Sequence, residues 1–217
     1  GSEMCIRDSL QVTEWLLSQF STIDEVKAAL SSVRVVGLEK TAVVHWRIGE
    51  PSGRQVVLEI VGGVPHFYEN EVGVLTNAPG FEWQLTNLNN YVNLHPGDAS
   101  MQKLSGITLQ PTGGNSGFLG IPGDATPPSR FVRAAFYRGT APQRATGFDT
   151  VQQCFHLLNN FDIPIGIEYS QAGDIPDIPS ATQWTSAIDL TNRKVYYKTA
   201  YNNSIPVSYT HLTLPTT

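Results

Sequence analysis

The sequence is poor in cysteine and in charged residues, and it contains no long apolar run. Its 217 residues include only 2 cysteines, too few for a disulfide framework. No apolar stretch reaches the ~18 residues that a membrane-spanning helix needs. The net charge is −5 and no basic run is present, which disfavours nucleic acids and anionic lipid surfaces as ligands. We therefore expect no nucleic acid and no membrane among the partners of this chain.

The apolar residues, in contrast, are numerous enough to form a substantial core. Hydrophobic residues make up 41% of the chain and charged residues 15%, a composition that excludes intrinsic disorder. A length of 217 residues favours one large domain over two small ones. The 19 glycines and 14 prolines predict many tight turns.

The spacing of the apolar residues changes between a helical and a strand period along the chain. This alternation predicts an α+β fold with layered packing. A capping box formed by Thr22 and Glu25 should start the second helix. Helices are predicted over residues 10–20, 22–31, 82–94, 129–138 and 149–161, and strands over 41–49, 54–63, 65–69, 72–77, 183–190 and 194–200.

Two segments carry further expectations about packing and function. The strands within residues 41–60 are largely apolar on both faces, so their sheet should be covered on both sides. Residues 95–128 are rich in glycine, proline, serine and threonine and almost free of charge. Inside a compact domain, such a stretch is typical of a functional loop.

The common catalytic and metal-binding motifs are absent. The five histidines (45, 66, 95, 156 and 211) are scattered, which gives no zinc-ligand spacing. Residues 113–117 (GGNSG) lack the lysine of a phosphate-binding loop and do not form a Gly-x-Ser-x-Gly turn. Cys154 falls on the apolar face of a predicted helix and is interpreted as a small core residue. We therefore predict neither a metal nor a cofactor.

Four segments have a more specific pattern than any of these features. They are residues 74–84 (VLTNAPGFEWQ), 87–91 (NLNNY), 120–124 (GIPGD) and 128–133 (PSRFVR). Together they resemble the choloylglycine hydrolase family, which comprises bile salt hydrolases and penicillin V acylases. His45-Trp46 and the closing hairpin with Thr185-Ser186, Tyr196-Tyr197 and Thr199 fit the same family in the same order. The resemblance covers roughly residues 12 to 205.

The resemblance implies a fold and a chemistry. The fold is α+β, the four-layer αββα sandwich of the N-terminal nucleophile hydrolases, here incomplete at its N-terminus. The reaction is hydrolysis of the C–N bond of a small-molecule N-acyl amide, a conjugated bile salt or a penicillin V-like compound. The nucleophile is an N-terminal cysteine whose own α-amino group, with a pKa near ~8, serves as the base. No cofactor takes part, and family members commonly form homo-oligomers.

The resemblance also assigns two residues to the catalytic site. Asn77 would donate to the tetrahedral oxyanion, and Arg130 would lie beside the nucleophile and lower the pKa of its thiol. Both groups must then reach one reacting centre, although they are separated by 53 positions (130 − 77). We therefore predict that their side-chain ends lie within about 10 Å of each other and face a common cleft.

The N-terminal region departs from the family pattern. Met4-Cys5 mimics the family's start, yet the chain then leads into a helix, where the family has several strands with further catalytic residues. Residues 1–9 and 207–217 resemble translated sequencing-adapter sequence of the kind that flanks metagenomic fragments. We therefore predict a partial domain over residues 10–206 with non-native flanks, lacking the nucleophile and inactive by itself. Cys5 is not expected to fill the nucleophile's place.

Two other interpretations stay open at this point. One is a non-catalytic binding or assembly module with the same sandwich fold. The other is a complete small enzyme that uses Cys5. Segments 126–128 and 183–185 are similar to the Gram-negative branch of the family, whose members are often exported, which implies a periplasmic location for the parent protein.

Overall fold

A computed structural model describes residues 4–6, 9–35, 44–168 and 180–209, with side-chain detail from residue 11 onward except at residues 34 and 209. The chain divides into two compact units. Unit 1 comprises residues 1–122 and 126–135, and unit 2 comprises residues 123–125 and 136–217.

Unit 1 is built around a three-stranded antiparallel sheet and a pair of consecutive helices. Thr22 and Glu25 form the predicted capping box at the start of the second helix. In chain order the elements are β1 (Met4–Ile6), α1 (Ser9–Gln19), α2 (Ile23–Leu30), β2 (Val33–Val35), β3 (His45–Gly49), β4 (Gln55–Val61), β5 (Val64–Glu69), α3 (Phe81–Asn87), β6 (Gln102–Leu104), β7 (Ile107–Leu109) and α4 (Pro127–Thr140), the last of which continues into unit 2. Strands β1 and β2 pair in parallel, whereas β3–β4–β5 and β6–β7 pair antiparallel.

Strand β4 lies at the centre of its sheet and is buried on both faces, as the sequence predicts. Leu58 faces α1 and α2 and contacts the core formed by Val12, Leu16, Val26 and Leu30. Its neighbour Val57 faces the opposite side, where it packs in a second core with Val74, Phe81 and Phe131. Because adjacent residues of a strand point to opposite faces, two cores can form on one short strand.

Unit 2 contains a helix packed on a second antiparallel sheet. Its elements are α5 (Gly147–Leu158), β8 (Trp184–Asp189), β9 (Lys194–Thr199) and β10 (Val207–Tyr209), with β9 in the middle of the sheet. Val151 and Phe155 from α5 pack on Tyr196. Cys154, on the same helix, is only partly buried.

Several predicted boundaries were wrong. Residues 72–77 form an irregular segment instead of the predicted strand. The buried side chain of Val74 gives this segment an apolar pattern like that of a strand, although none of the described strands pairs with it. The helix predicted over 82–94 is shorter: α3 ends at Asn87 and a 3₁₀ turn covers Leu88–Tyr91. The loop predicted over 95–128 contains the short β6–β7 hairpin and the start of α4. Residues 41–43 of the first predicted strand lie outside the described residues.

Candidate active site

Asn77 and Arg130 come from different kinds of local structure in unit 1. Asn77 lies in a bend between the irregular segment 72–76 and α3, rather than at the end of a strand as predicted. Arg130 lies in the first turn of α4, where its backbone N–H donates to the carbonyl of Thr126. The side chain of Asn77 is exposed and that of Arg130 is partly buried.

The two side chains are in direct contact. Nη2 of Arg130 donates to Oδ1 of Asn77 at 2.8 Å, well inside the predicted limit on their separation. Because the amide oxygen accepts from the guanidinium, the amide nitrogen is left as the end that donates elsewhere. The contact therefore orients Asn77 as a donor and sets a permanent cation beside it. This is the combination that stabilises a developing oxyanion.

Two hydrogen bonds hold the segment around Asn77 from either side. Upstream, the hydroxyl of Thr76 donates to the carbonyl of Pro127 at 3.2 Å, which ties the segment to the start of α4. Downstream, the N–H of Phe81 donates to Oε1 of Glu59 at 2.8 Å, which ties it to strand β4.

Two of the characteristic sequence segments also meet through a buried arginine. Nη1 of Arg133 donates to the carbonyl of Pro122 at 2.7 Å. Arg133 is buried, and it follows Arg130 by about one turn of α4. The GIPGD segment is thus bound to the helix that carries Arg130.

Sequence reasoning missed Glu59 and its pairing with His45. The carboxylate of Glu59 is buried in the centre of the sheet, 3.4 Å from Nδ1 of His45 on β3. The available signal was a single acidic residue in the otherwise apolar run 56–61, since charged residues are rarely buried without partners. Burial raises the pKa of the nearby Tyr68 phenol, and the negative charges of Glu59 and Glu82 raise it further.

Other potential binding features are few in the described ranges. These residues contain no cluster of His, Cys, Asp and Glu side chains that could hold a metal ion. None of their helices combines the length and apolar character needed to span a bilayer. Unit 2 carries an open cleft of about 270 Å³ between the segment after α5 and the ends of β8 and β9. The side chain of Cys5 lies outside the described side chains. That its sulfur does not occupy the nucleophile's place beside Asn77 and Arg130 therefore stays a prediction.

Curated relatives of this chain include bile salt hydrolases from bacteria. "Bile salt hydrolase/transferase" of Clostridium perfringens is 33% identical over 88% of this chain, and the match covers 58% of that protein. The protein of the same name from Lactiplantibacillus plantarum is 33% identical over 93% of this chain and 63% of its own length. The chain therefore spans about three fifths of the relatives that it matches.

Solved structures show the same relationship at the level of the fold. A cysteine-to-alanine mutant of conjugated bile acid hydrolase from Clostridium perfringens matches with a TM-score of 0.80 and 32% identity, over 96% of this chain and 64% of that chain. Penicillin V acylase from Agrobacterium tumefaciens matches with a TM-score of 0.70 and 20% identity, over 95% of this chain and 56% of that chain. These neighbours confirm the predicted α+β fold of the N-terminal nucleophile hydrolase type.

The family model described as linear amide C–N hydrolases, choloylglycine hydrolase family, matches residues 4–216. That match covers nearly the whole chain and contains all four of the segments on which the resemblance depended. The chain belongs to the choloylglycine hydrolase family of linear amide C–N hydrolases.

Proposed function

We propose that this chain is part of an amidase that cleaves the C–N bond of conjugated bile salts, with penicillin V-like amides as the second substrate class. The contact between Arg130 and Asn77 at 2.8 Å carries the proposal, because it joins a donor and a cation from two characteristic segments. Bile salts come first because the bile salt hydrolases are 33% identical to this chain, against 20% for the penicillin acylase.

In the proposed reaction, an N-terminal cysteine thiolate attacks the amide carbonyl carbon and forms a C–S bond. The carbonyl oxygen becomes an oxyanion that accepts from Nδ2 of Asn77, while Arg130 supplies positive charge beside the centre. The C–N bond then breaks, and the protonated α-amino group gives its proton to the leaving amine. Water attacks the thioester, which releases the bile acid and regenerates the thiol.

The 217-residue chain by itself is proposed to be inactive. Asn77 and Arg130 can stabilise charge, but neither can attack a carbonyl carbon. The attacking cysteine is assigned to the part of the relatives that the match to this chain leaves uncovered, 42% (100 − 58) of the Clostridium perfringens protein.

The test measures release of glycine, taurine or phenoxyacetate from glycocholate, taurocholate or penicillin V. The chain alone should give no turnover above background. Turnover should appear when the N-terminal segment of the Clostridium perfringens relative, beginning with its cysteine, is fused to residue 10. In that fusion Asn77→Ala should lower kcat by roughly 10² to 10³-fold, as removal of one oxyanion donor typically does. Arg130→Ala should lower it as well, whereas Arg144→Ala, which removes an exposed arginine, should not.

Besides a fusion that shows no turnover, two results would contradict the proposal. An active fusion that tolerates both Asn77→Ala and Arg130→Ala would remove these residues from the chemistry. Turnover by the chain alone that disappears in Cys5→Ala would show that the chain is a complete enzyme using Cys5.

A further inference from the structure

The carboxylate of Glu59 lies beneath the segment that carries Asn77. Glu59 belongs to the central strand β4 and is only 7% exposed. Its side chain points to the same face as Val57, the face covered by α3 and α4. The carboxylate therefore lies on the face of the sheet against which the start of α3 packs.

Glu59 caps α3 from a distance. The residue before this helix, Gly80, has no side chain that could accept from the first N–H groups, and α3 has no local side-chain cap. Oε1 of Glu59 fills this role, since it accepts from the N–H of Phe81 at 2.8 Å. A carboxylate at this position satisfies an otherwise orphaned N–H and interacts favourably with the helix dipole.

The segment also lies directly against the carboxylate. A Cβ atom at Gly80 would be 3.0 Å from Oε2 of Glu59 and 3.6 Å from its Cδ. The backbone angles at position 80 (φ −57°, ψ 162°) are open to other residues. The close approach of the carboxylate, and not the backbone conformation, is therefore what favours a residue without a side chain there. Both carboxylate oxygens of Glu59 thus lie against the chain three to four residues after Asn77.

Phe81 transmits this restraint to the Arg130 side of the pair. Its ring is fully buried and packs edge-on against Phe131, with 6.0 Å between ring centroids. Phe131 follows Arg130 directly in α4. One hydrogen bond to Glu59 therefore restrains both the segment that presents Asn77 and the helix turn that presents Arg130.

We infer that Glu59 is a positioning residue that sets the contact between Asn77 and Arg130 through the N–H of Phe81. His45, 3.4 Å from the same carboxylate oxygen, is its second partner and lies on the neighbouring strand. This inference rests on the proposed function, because the pair that Glu59 positions is the proposed oxyanion and thiolate site.

The first test uses NMR on the full chain and needs no catalysis. Glu59→Asp shortens the side chain by one methylene and should lose the bond to Phe81, whereas Glu59→Gln keeps an oxygen at the same reach. In Glu59→Asp the amide hydrogen of Phe81 should exchange with solvent at least about tenfold faster. The side-chain NH signals of Asn77 and Arg130 should also move from their wild-type chemical shifts, because the hydrogen bond between the two side chains is lost. Glu59→Gln should resemble the wild type in both measurements.

Leu58→Ala is the control for a general loss of stability. Leu58 is fully buried on the same strand as Glu59, but it lies on the opposite face, in the core formed with α1 and α2. Leu58→Ala should lower the melting temperature and leave the signals of Asn77 and Arg130 in place. The inference is overturned if these signals are unchanged in Glu59→Asp, or if Leu58→Ala shifts them equally.

The second test uses the active fusion. Glu59→Asp should lower kcat at least about tenfold, because small displacements of a catalytic group have effects of this size or larger, and should leave KM within about twofold. An inactive wild-type fusion would contradict the proposed function, while the NMR comparison would still decide whether Glu59 controls the pair. An active fusion in which Glu59→Asp alters neither kcat nor the NMR signals would overturn this inference alone.

Discussion

At the scale of single residues, the carboxylate of Glu69, at the end of β5, is bound by two basic side chains. Its carboxylate accepts from Arg54 at 2.6 and 3.1 Å and from Lys27 at 3.2 Å. Arg54 also donates to Asp24 on α2 at 2.9 Å. Hydrogen bonds from Arg54 and then from Lys27 lower the pKa of Glu69 to about 2. Hydrogen bonds to Glu69 and Asp24 in turn hold the pKa of Arg54 above its usual range. The network joins α2 to the sheet.

This network predicts a specific acid sensitivity. Because the folded pKa of Glu69 is lowered from 4.5 to about 2, its stabilisation is complete above pH ~4.5 and is lost as the pH falls toward 2. Glu69→Gln should therefore lower the melting temperature at pH 7 and flatten its decline between pH 4.5 and 2. Half of the Glu69 side chain is exposed, so added salt should shrink the difference between the variant and the wild type.

Circular dichroism melts across this pH range, at low and high salt, provide the measurement. Glu71→Gln removes the same charge two residues along the chain, outside the network, and should leave the decline unchanged. Equal pH profiles for Glu69→Gln and the wild type would exclude Glu69 as a source of acid sensitivity.

At the scale of elements, the junction between β4 and α3 leaves little room for a side chain at Gly80. A methyl group there would lie 3.0 Å from Oε2 of Glu59, closer than most such contacts, and a shift of this carboxylate would strain its bond to Phe81. Gly80→Ala should therefore destabilise the chain by about 1 kcal/mol. At a site with enough space the same substitution normally stabilises a protein, because alanine lowers the conformational entropy of the unfolded chain.

A double-mutant cycle separates this contact from a general effect of the substitution. In the Glu59→Ala background the methyl group has space, so the cost of Gly80→Ala should fall or reverse, with a coupling of at least about 0.5 kcal/mol. Additive effects in urea denaturation would show that the two residues do not interact in this way. Gly139→Ala, where an added Cβ meets nothing within 4 Å, controls for the loss of glycine flexibility.

The same junction shows how far the sequence could predict the fold and the site. Periodicity found β3, β4, β5 and the covered sheet, because buried strands keep a continuous apolar pattern. It misassigned residues 72–77, since an extended segment that packs in a core needs no hydrogen-bonded partner strand.

The pair of Asn77 and Arg130 was found through the family motif alone. No local rule brings together residues 53 positions apart, and their contact depends on tertiary bonds from Thr76 to Pro127 and from Phe81 to Glu59. Glu59 could not be assigned to the site from the sequence, because its partner is a backbone N–H in a distant element.

At the scale of the whole molecule, the chain matches 58% and 63% of the length of two bile salt hydrolases. Many large apolar side chains among the described residues are exposed to solvent. In unit 2, Ile165 and Trp184 are each 70% exposed, and both line the open cleft together with Tyr201, which is 94% exposed. Exposed apolar patches of this kind are typical of surfaces that are covered in a larger assembly or that cause aggregation.

We therefore expect the chain to associate with itself when it is expressed alone. Light scattering coupled to size exclusion should give an apparent mass that rises with protein concentration, and a hydrophobic dye such as ANS should bind. The double variant Ile165→Ser, Trp184→Gln should lower both signals, because it removes two of the exposed side chains at the cleft. Thr191→Ala, in the exposed turn between β8 and β9, should change neither. A chain that stays monomeric at all concentrations, binds no dye and melts cooperatively would contradict this expectation, and would show that these side chains are tolerated in water without a covering partner.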